Sequence, residues 1–179
     1  MKRAIKFKLK NGKVVTIRRL VAADYDAQMK FNEKFTRGPG AVQTMQYRGQ
    51  PKKDKAITIK HYENNFVIGA FDGDDMIGIA SVQPQRVGHP YSGRSAGVGM
   101  MMLDKYTGNG LGSKFFQILE KWARENGIHK LVGDVRHLNI PSIATCIKNG
   151  FIITGIHYDA AFINGKWHHE YILEKILEK

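Results

Sequence analysis

One cysteine, Cys146, carries all the thiol chemistry of this 179-residue sequence. A lone cysteine cannot close an internal disulfide or build a thiolate metal cage. The chain is therefore expected to work in a reducing cytoplasm and without a metal. Long apolar runs are also missing. The longest, residues 66–71 and 98–103, are strand-sized, far short of the ~20 residues that cross a bilayer, so no membrane partner is expected. The first residues alternate lysine with apolar side chains and lack the apolar block of a secretory leader. Negative charge is scarce at one end. Residues 1–60 hold sixteen Lys/Arg against four Asp/Glu, while residues 61–179 hold twelve of each, so the whole net charge of +12 lies in the first third. Such a segment attracts phosphates and keeps a nucleic-acid partner open. No aromatic-interleaved RNA motif accompanies it, which favours a solvated surface that draws in an anionic cofactor.

Alternation of Lys6, Lys8 and Lys10 with Ile5, Phe7 and Leu9 predicts a half-buried strand over residues 2–10. Asn11-Gly12 is a hairpin turn, and residues 13–20 return with Val15, Ile17 and Arg19 on one face. Asp24 opens a helix expected to run to residue 35, with Tyr25, Met29 and Phe31 as its apolar face. Residues 36–55 carry Gly38-Pro39-Gly40 and Pro51 and are expected to form a long loop, or a loop with short helices, of the kind that is usually functional or mobile. From residue 65 the signals sharpen: strands over 66–71 and 76–85, a loop over 87–94, and a strand over 95–103. A helix over 114–126 has Phe115, Ile118, Leu119 and Trp122 at helical spacing. A strand over 130–135, a short helix over 140–149, and two strands joined by Asn164-Gly165 complete the chain. No repeat, linker or low-complexity stretch divides it, which predicts one domain over residues 1–179.

The informative stretch runs from the apolar strand of Met100, Met101 and Met102 into Thr107-Gly108-Asn109-Gly110-Leu111-Gly112-Ser113 and then into a helix. A helix N-terminus offers unpaired N–H groups and a positive dipole, and glycines let the backbone approach oxygen atoms without a Cβ in the way. That is a diphosphate cradle. Gly112-Ser113-Lys114 has the wrong order for a P-loop. A dinucleotide fingerprint would need an early βαβ unit, which the antiparallel hairpins upstream do not provide.

The segment resembles the coenzyme-A motif of GNAT acetyltransferases: Arg or Gln, two residues, Gly, one residue, Gly or Ala. Residues 107–112 match at both small positions, and Thr107 stands where the family has Arg or Gln. Downstream, Asn139, a short helix and the closing Gly150-Phe151 resemble the family's later segment. The resemblance covers about residues 66–173. It implies an α+β, three-layer fold with a mixed central sheet of about six or seven strands flanked by helices. It implies an N-acetyltransferase that carries an acetyl group from acetyl-CoA to a small-molecule or protein amine. A catalytically silent coenzyme-A-binding or nucleic-acid-associated module on the same fold is the alternative, and a homodimer is left open. The main chain of Met100, Met101 and Met102 would pair with the pantetheine arm; residues 108–113 would hold the diphosphate. Asn139 would bond to the pantetheine side, or cap the helix ahead of Pro141.

Acylating an amine requires removing its proton, since an alkylammonium has a pKa of ~10.4. It also needs a donor for the carbonyl oxygen and benefits from an acid for the leaving thiolate. The family often places a tyrosine acid in the late helix; the matching position here is Cys146. The strand before the glycine turn carries no carboxylate. Glu170, His168, His169, Asp134, His137 and Tyr158 are the candidate bases, and alternation sets His168 and Glu170 on one face of the last strand. The acceptor wall is expected from residues 25–55 and 87–94.

Overall fold

The computed structural model describes residues 3–38, 54–85, 89 and 93–177. The first hairpin forms as its alternation requires. β1 (Ile5–Lys8) and β2 (Val14–Arg19) pair antiparallel, and Gly12 takes the turn at φ +88°. Val15 and Ile17 go into the core, while Arg19 stays exposed with its guanidinium 5.8 Å from the Phe66 ring centre.

Helix α1 (Tyr25–Arg37) ends two residues later than its expected end, and its buried face is turned. Gln28, Phe31 and Phe35 are buried, whereas Tyr25 and Met29 are half-buried. Phe31 and Phe35 join a cluster with Leu20, Tyr62 and Val67. The Tyr62 hydroxyl donates to the Gln28 side-chain oxygen, which satisfies a polar group that helical spacing alone would have placed outside. Helix α2 (Lys55–Asn64) was not foreseen. Its β-branched run Ile57-Thr58-Ile59 disguises the helical period, yet Thr58 and Tyr62, four apart, form its buried face, and the Asp54 carboxylate caps it by accepting from Ile57 N at 3.0 Å. The rest of the loop expected over 36–55, and most of that over 87–94, lie outside the described residues.

The remaining elements follow the expected order: β3 (Phe66–Asp72), β4 (Asp75–Pro84), β5 (Ser95–Met102), α3 (Leu111–Glu125), β6 (Lys130–Arg136), α4 (Ile140–Lys148), β7 (Ile152–Ile163) and β8 (Lys166–Ile176). They build one mixed sheet in the order β1-β2-β3-β4-β5-β6-β8-β7. Among the described residues it has eight strands, more than the six or seven that the resemblance implied, because both terminal hairpins join the sheet. Helices flank both faces. Phe66 and Ile68 point to the side of α3, where Phe115, Leu119 and Leu173 form the larger cluster; Val67, between them, points to α1 and α2. No helix among the described residues is long and apolar enough to cross a membrane.

Candidate active site

The sheet is antiparallel except at its centre. β5 pairs with β6 in parallel, and among the described residues that pairing holds only for Ser95–Lys130, Ala96–Leu131 and Gly97–Val132. On its other edge β5 stays paired with β4 as far as Met102. From Val98 onward, therefore, β5 presents a main-chain edge that β6 does not satisfy, in the middle of a sheet where backbone groups are normally paired.

That edge leads into the glycine turn. Thr107 N and Thr107 Oγ1 both donate to Asp104 O, at 3.0 and 2.7 Å. Asn109 Nδ2 donates to Thr107 O at 3.0 Å, and Lys10 N, from the first hairpin, donates to Asn109 O at 3.2 Å. Tyr106, just upstream, is buried and donates to Asp72 Oδ2 at 2.6 Å. Burial and this bond push its phenol up to about 12. The turn is thus anchored at both ends. Gly108 and Gly110 sit at φ +72° and +87°, a region that costs an L side chain roughly 1–2 kcal/mol. Gly110 is also the cap of α3 and makes no side-chain cap bond, so the first N–H groups of α3 are left for another acceptor. At Gly112 a Cβ would come within 3.3 Å of Thr145 Cγ2 and 3.5 Å of Met102 Cε, which keeps the turn close to α4 and to β5.

Two cavities meet at this opening. The smaller, about 300 Å³, is lined by Met100, Met101, Met102, Thr107, Gly108, Gly110, Gly112, Ser113 and Asn139, with Lys10, Thr145 and Lys148. Nine of the twelve residues singled out from sequence therefore share one wall. Asn109 holds the turn from outside, Leu111 is buried in the core, and Cys146 is buried and lines neither cavity. Burial pushes the Cys146 thiol up to about 11, against a bond with Ser142. Asn139 caps α4, its Oδ1 accepting from Ser142 N at 3.2 Å, and it lines both cavities. The helix-cap and pocket readings hold together.

The larger cavity, about 730 Å³, lies between the splayed strands and α1 and α2. Gln28, Thr58, His61, Ser81, Gly99, Met101, Asp134, Arg136, Ser142 and Glu170 are among its walls. Of the six candidate bases only Asp134 and Glu170 line it. Asp134 is half-exposed, 3.8 Å from His157. Glu170 is 4% exposed, and its Oε1 stands 3.6 Å from Arg136 Nη2, too far for a hydrogen bond; that oxygen makes none among the described residues. His137 packs against His168 and His169 with ring centres 5.6 and 5.4 Å away, and Tyr158 is 73% exposed. Thr58 and His61 were missed because α2 was missed. Lys10 and Lys148 carried only the signal of positive charge.

The model of the Acetyltransferase (GNAT) family matches residues 31–151, and the chain belongs to that family. Solved structures share its fold. A GNAT-family acetyltransferase from Streptococcus pneumoniae has a TM-score of 0.79 at 20% identity, over 90% of this chain and 99% of that one. A putative acetyltransferase from Salmonella typhimurium, solved with its cofactor acetyl-CoA, has a TM-score of 0.76 at 20% identity, over 92% and 95%. A ribosomal-protein-alanine N-acetyltransferase from Brucella melitensis has a TM-score of 0.74 at 23% identity, over 90% and 99%. No curated protein matches the sequence.

Proposed function

We propose that residues 1–179 form one cytoplasmic N-acetyltransferase domain that moves the acetyl group of acetyl-CoA to a primary amine. The observation that carries this reading is the parting of β5 from β6 directly beside the uncapped start of α3. The N–H groups of Leu111, Gly112 and Ser113 hold the diphosphate, with Gly108 and Gly110 giving it room. The unsatisfied edge of β5 at Met100, Met101 and Met102 pairs with the pantetheine arm, and Asn139 bonds to it from the far side. Lys10 and Lys148 bring positive charge to the same wall where the family's Arg or Gln is replaced by Thr107. The amine attacks the thioester carbonyl of acetyl-CoA; as the C–N bond forms the C–S bond breaks, and coenzyme A leaves as its thiolate, which takes up the proton the acylated nitrogen sheds. A β5 N–H donates to that carbonyl oxygen as charge gathers on it. Glu170 takes the proton of the ammonium group: it is a buried carboxylate with an oxygen that makes no hydrogen bond among the described residues, on the wall of the larger cavity.

Isothermal titration with acetyl-CoA and thiol release with a panel of primary amines test the reading. Binding with amine-dependent release is expected; binding without release for any amine would favour a silent coenzyme-A module. For an accepted amine, Glu170→Gln is expected to lower kcat/KM at least tenfold, about 1.4 kcal/mol, near neutral pH. Acetyl-CoA affinity should hold, and the gap should narrow as pH rises toward the amine's own pKa. A loss equal at every pH would contradict the assignment.

A further inference from the structure

Glu170 does not stand alone on its wall. Strand register sets it directly opposite Arg136. Both are buried, and both line the larger cavity. Arg136 Nη2 and Glu170 Oε1 are 3.6 Å apart, close enough to balance each other's charge and too long for a hydrogen bond. The two ions thus face one another across a gap in the cavity wall. They also stand beside the open edge of β5. The last β5–β6 pair among the described residues is Gly97–Val132. Counting on from it brings Arg136 level with Met101, on the edge that the coenzyme arm takes up. The balance changes once Glu170 works as a base. In taking a proton from the acceptor it becomes neutral, and Arg136 loses the carboxylate charge that faces it, a costly event in a buried site. Asp134, two residues back on the same face of β6, is exposed and stands 3.8 Å from His157. A carboxylate carried by the acceptor itself restores the balance.

We infer that the acceptor is a free, neutral α-amino acid, with its ammonium group set against Glu170 and its carboxylate against Arg136. The inference rests on the reading of Glu170 as the base. In an α-amino acid one carbon separates the nitrogen from the carboxyl group. A single molecule therefore reaches two facing ions at once and meets each with the opposite charge. The ammonium proton passes to Glu170, and the nitrogen, now with a lone pair, attacks the thioester. The carboxylate stays on the guanidinium, whose planar fork matches it. Arg136 then has a carboxylate beside it before and after the proton moves. A simple alkylammonium ion would instead bring an unmatched positive charge into the pocket. A protein N-terminus carries an amide where this carboxylate would be, and the same argument disfavours it. The rest of the wall selects the side chain. Val67, Ile79 and Met101 give it apolar surface, and Asp54 and Asp134 add two carboxylates that repel an acidic one.

Thiol release from acetyl-CoA with matched acceptors tests this on the unaltered full chain. Each neutral L-amino acid is compared with its amide, which keeps the side chain and the amine, and with the amine that lacks the carboxyl group. The amino acid is expected to show at least about tenfold the kcat/KM of both. In Arg136→Gln that preference should shrink to within about twofold, with the loss falling on KM for the amino acid; Arg136→Lys should keep part of it. Removing Arg136 leaves a buried carboxylate facing nothing and endangers folding, so a second reading needs no variant. Calorimetric titration of the coenzyme-A complex should show the amino acid binding at least about tenfold more tightly than its amide. Amides or simple amines that react as well as the amino acids, equal affinities in the calorimeter, or a folded Arg136→Gln that keeps the preference would overturn the inference and leave the acetyltransferase reading standing. No thiol release with any acceptor would remove both.

Discussion

Asp24 shows how a single buried carboxylate is held. It accepts from Arg18 Nη1 and Nη2 at 2.7 and 2.6 Å and from Val21 N at 2.9 Å. Burial would raise its carboxyl, but those bonds and the guanidinium charge win and hold it below the usual carboxylate range. A depressed folded-state pKa contributes stability that is present above the unfolded value, ~3.9, and is lost as pH falls through the folded value. Arg18→Met is therefore expected to cost about 2 kcal/mol at neutral pH in urea unfolding, with the difference from wild type shrinking below pH ~4. A difference independent of pH would remove the ion pair from the account. Cys146 belongs at the same scale. Buried in the core and away from both cavities, it should matter for packing. Cys146→Ala should lose about 1 kcal/mol of stability with thiol release falling by less than about threefold. A tenfold loss of rate, about 1.4 kcal/mol, would restore the acid role that its position in α4 suggested.

At the scale of elements, the glycine turn joins β5 to α3 and is pinned by contacts from the first hairpin and from β3. Gly110→Val puts a β-branched side chain at φ +87°, where it is strained, with its Cβ 3.9 Å from Phe7 Cζ, so the turn must distort to take it. The variant is expected to fold, by circular dichroism, and to lose coenzyme-A binding in titration calorimetry; tight binding would mean the turn is not the cradle. This turn was legible in the sequence because its message is local: three spaced glycines between an apolar run and a helical pattern. The Asn139 cap was legible for the same reason. The rotation of α1 was not, because it depends on Tyr62, which reaches Gln28 from a helix that the β-branched run concealed. Nor could alternation along β8 choose Glu170 over His168. What separates them is which one borders the opening, and that follows from the parting of β5 and β6, strands that lie far apart in the sequence.

At the scale of the whole molecule, positive charge and the open site are linked. The basic first hairpin reaches the glycine turn through Lys10, so one cation of the basic first third stands at the wall expected to receive an anion. The eight-stranded sheet supports both cavities from one frame, with α3 and α4 behind the smaller and α1 and α2 over the larger. The measurement that tests the central claim most directly is an amide-resolved NMR titration of the chain with coenzyme A. The account predicts that the largest shifts fall on the amides of Gly108 to Ser113 and of Val98 to Met102, on both sides of the opening. Shifts confined to the basic residues of the first hairpin, or no shifts at saturating ligand, would contradict it.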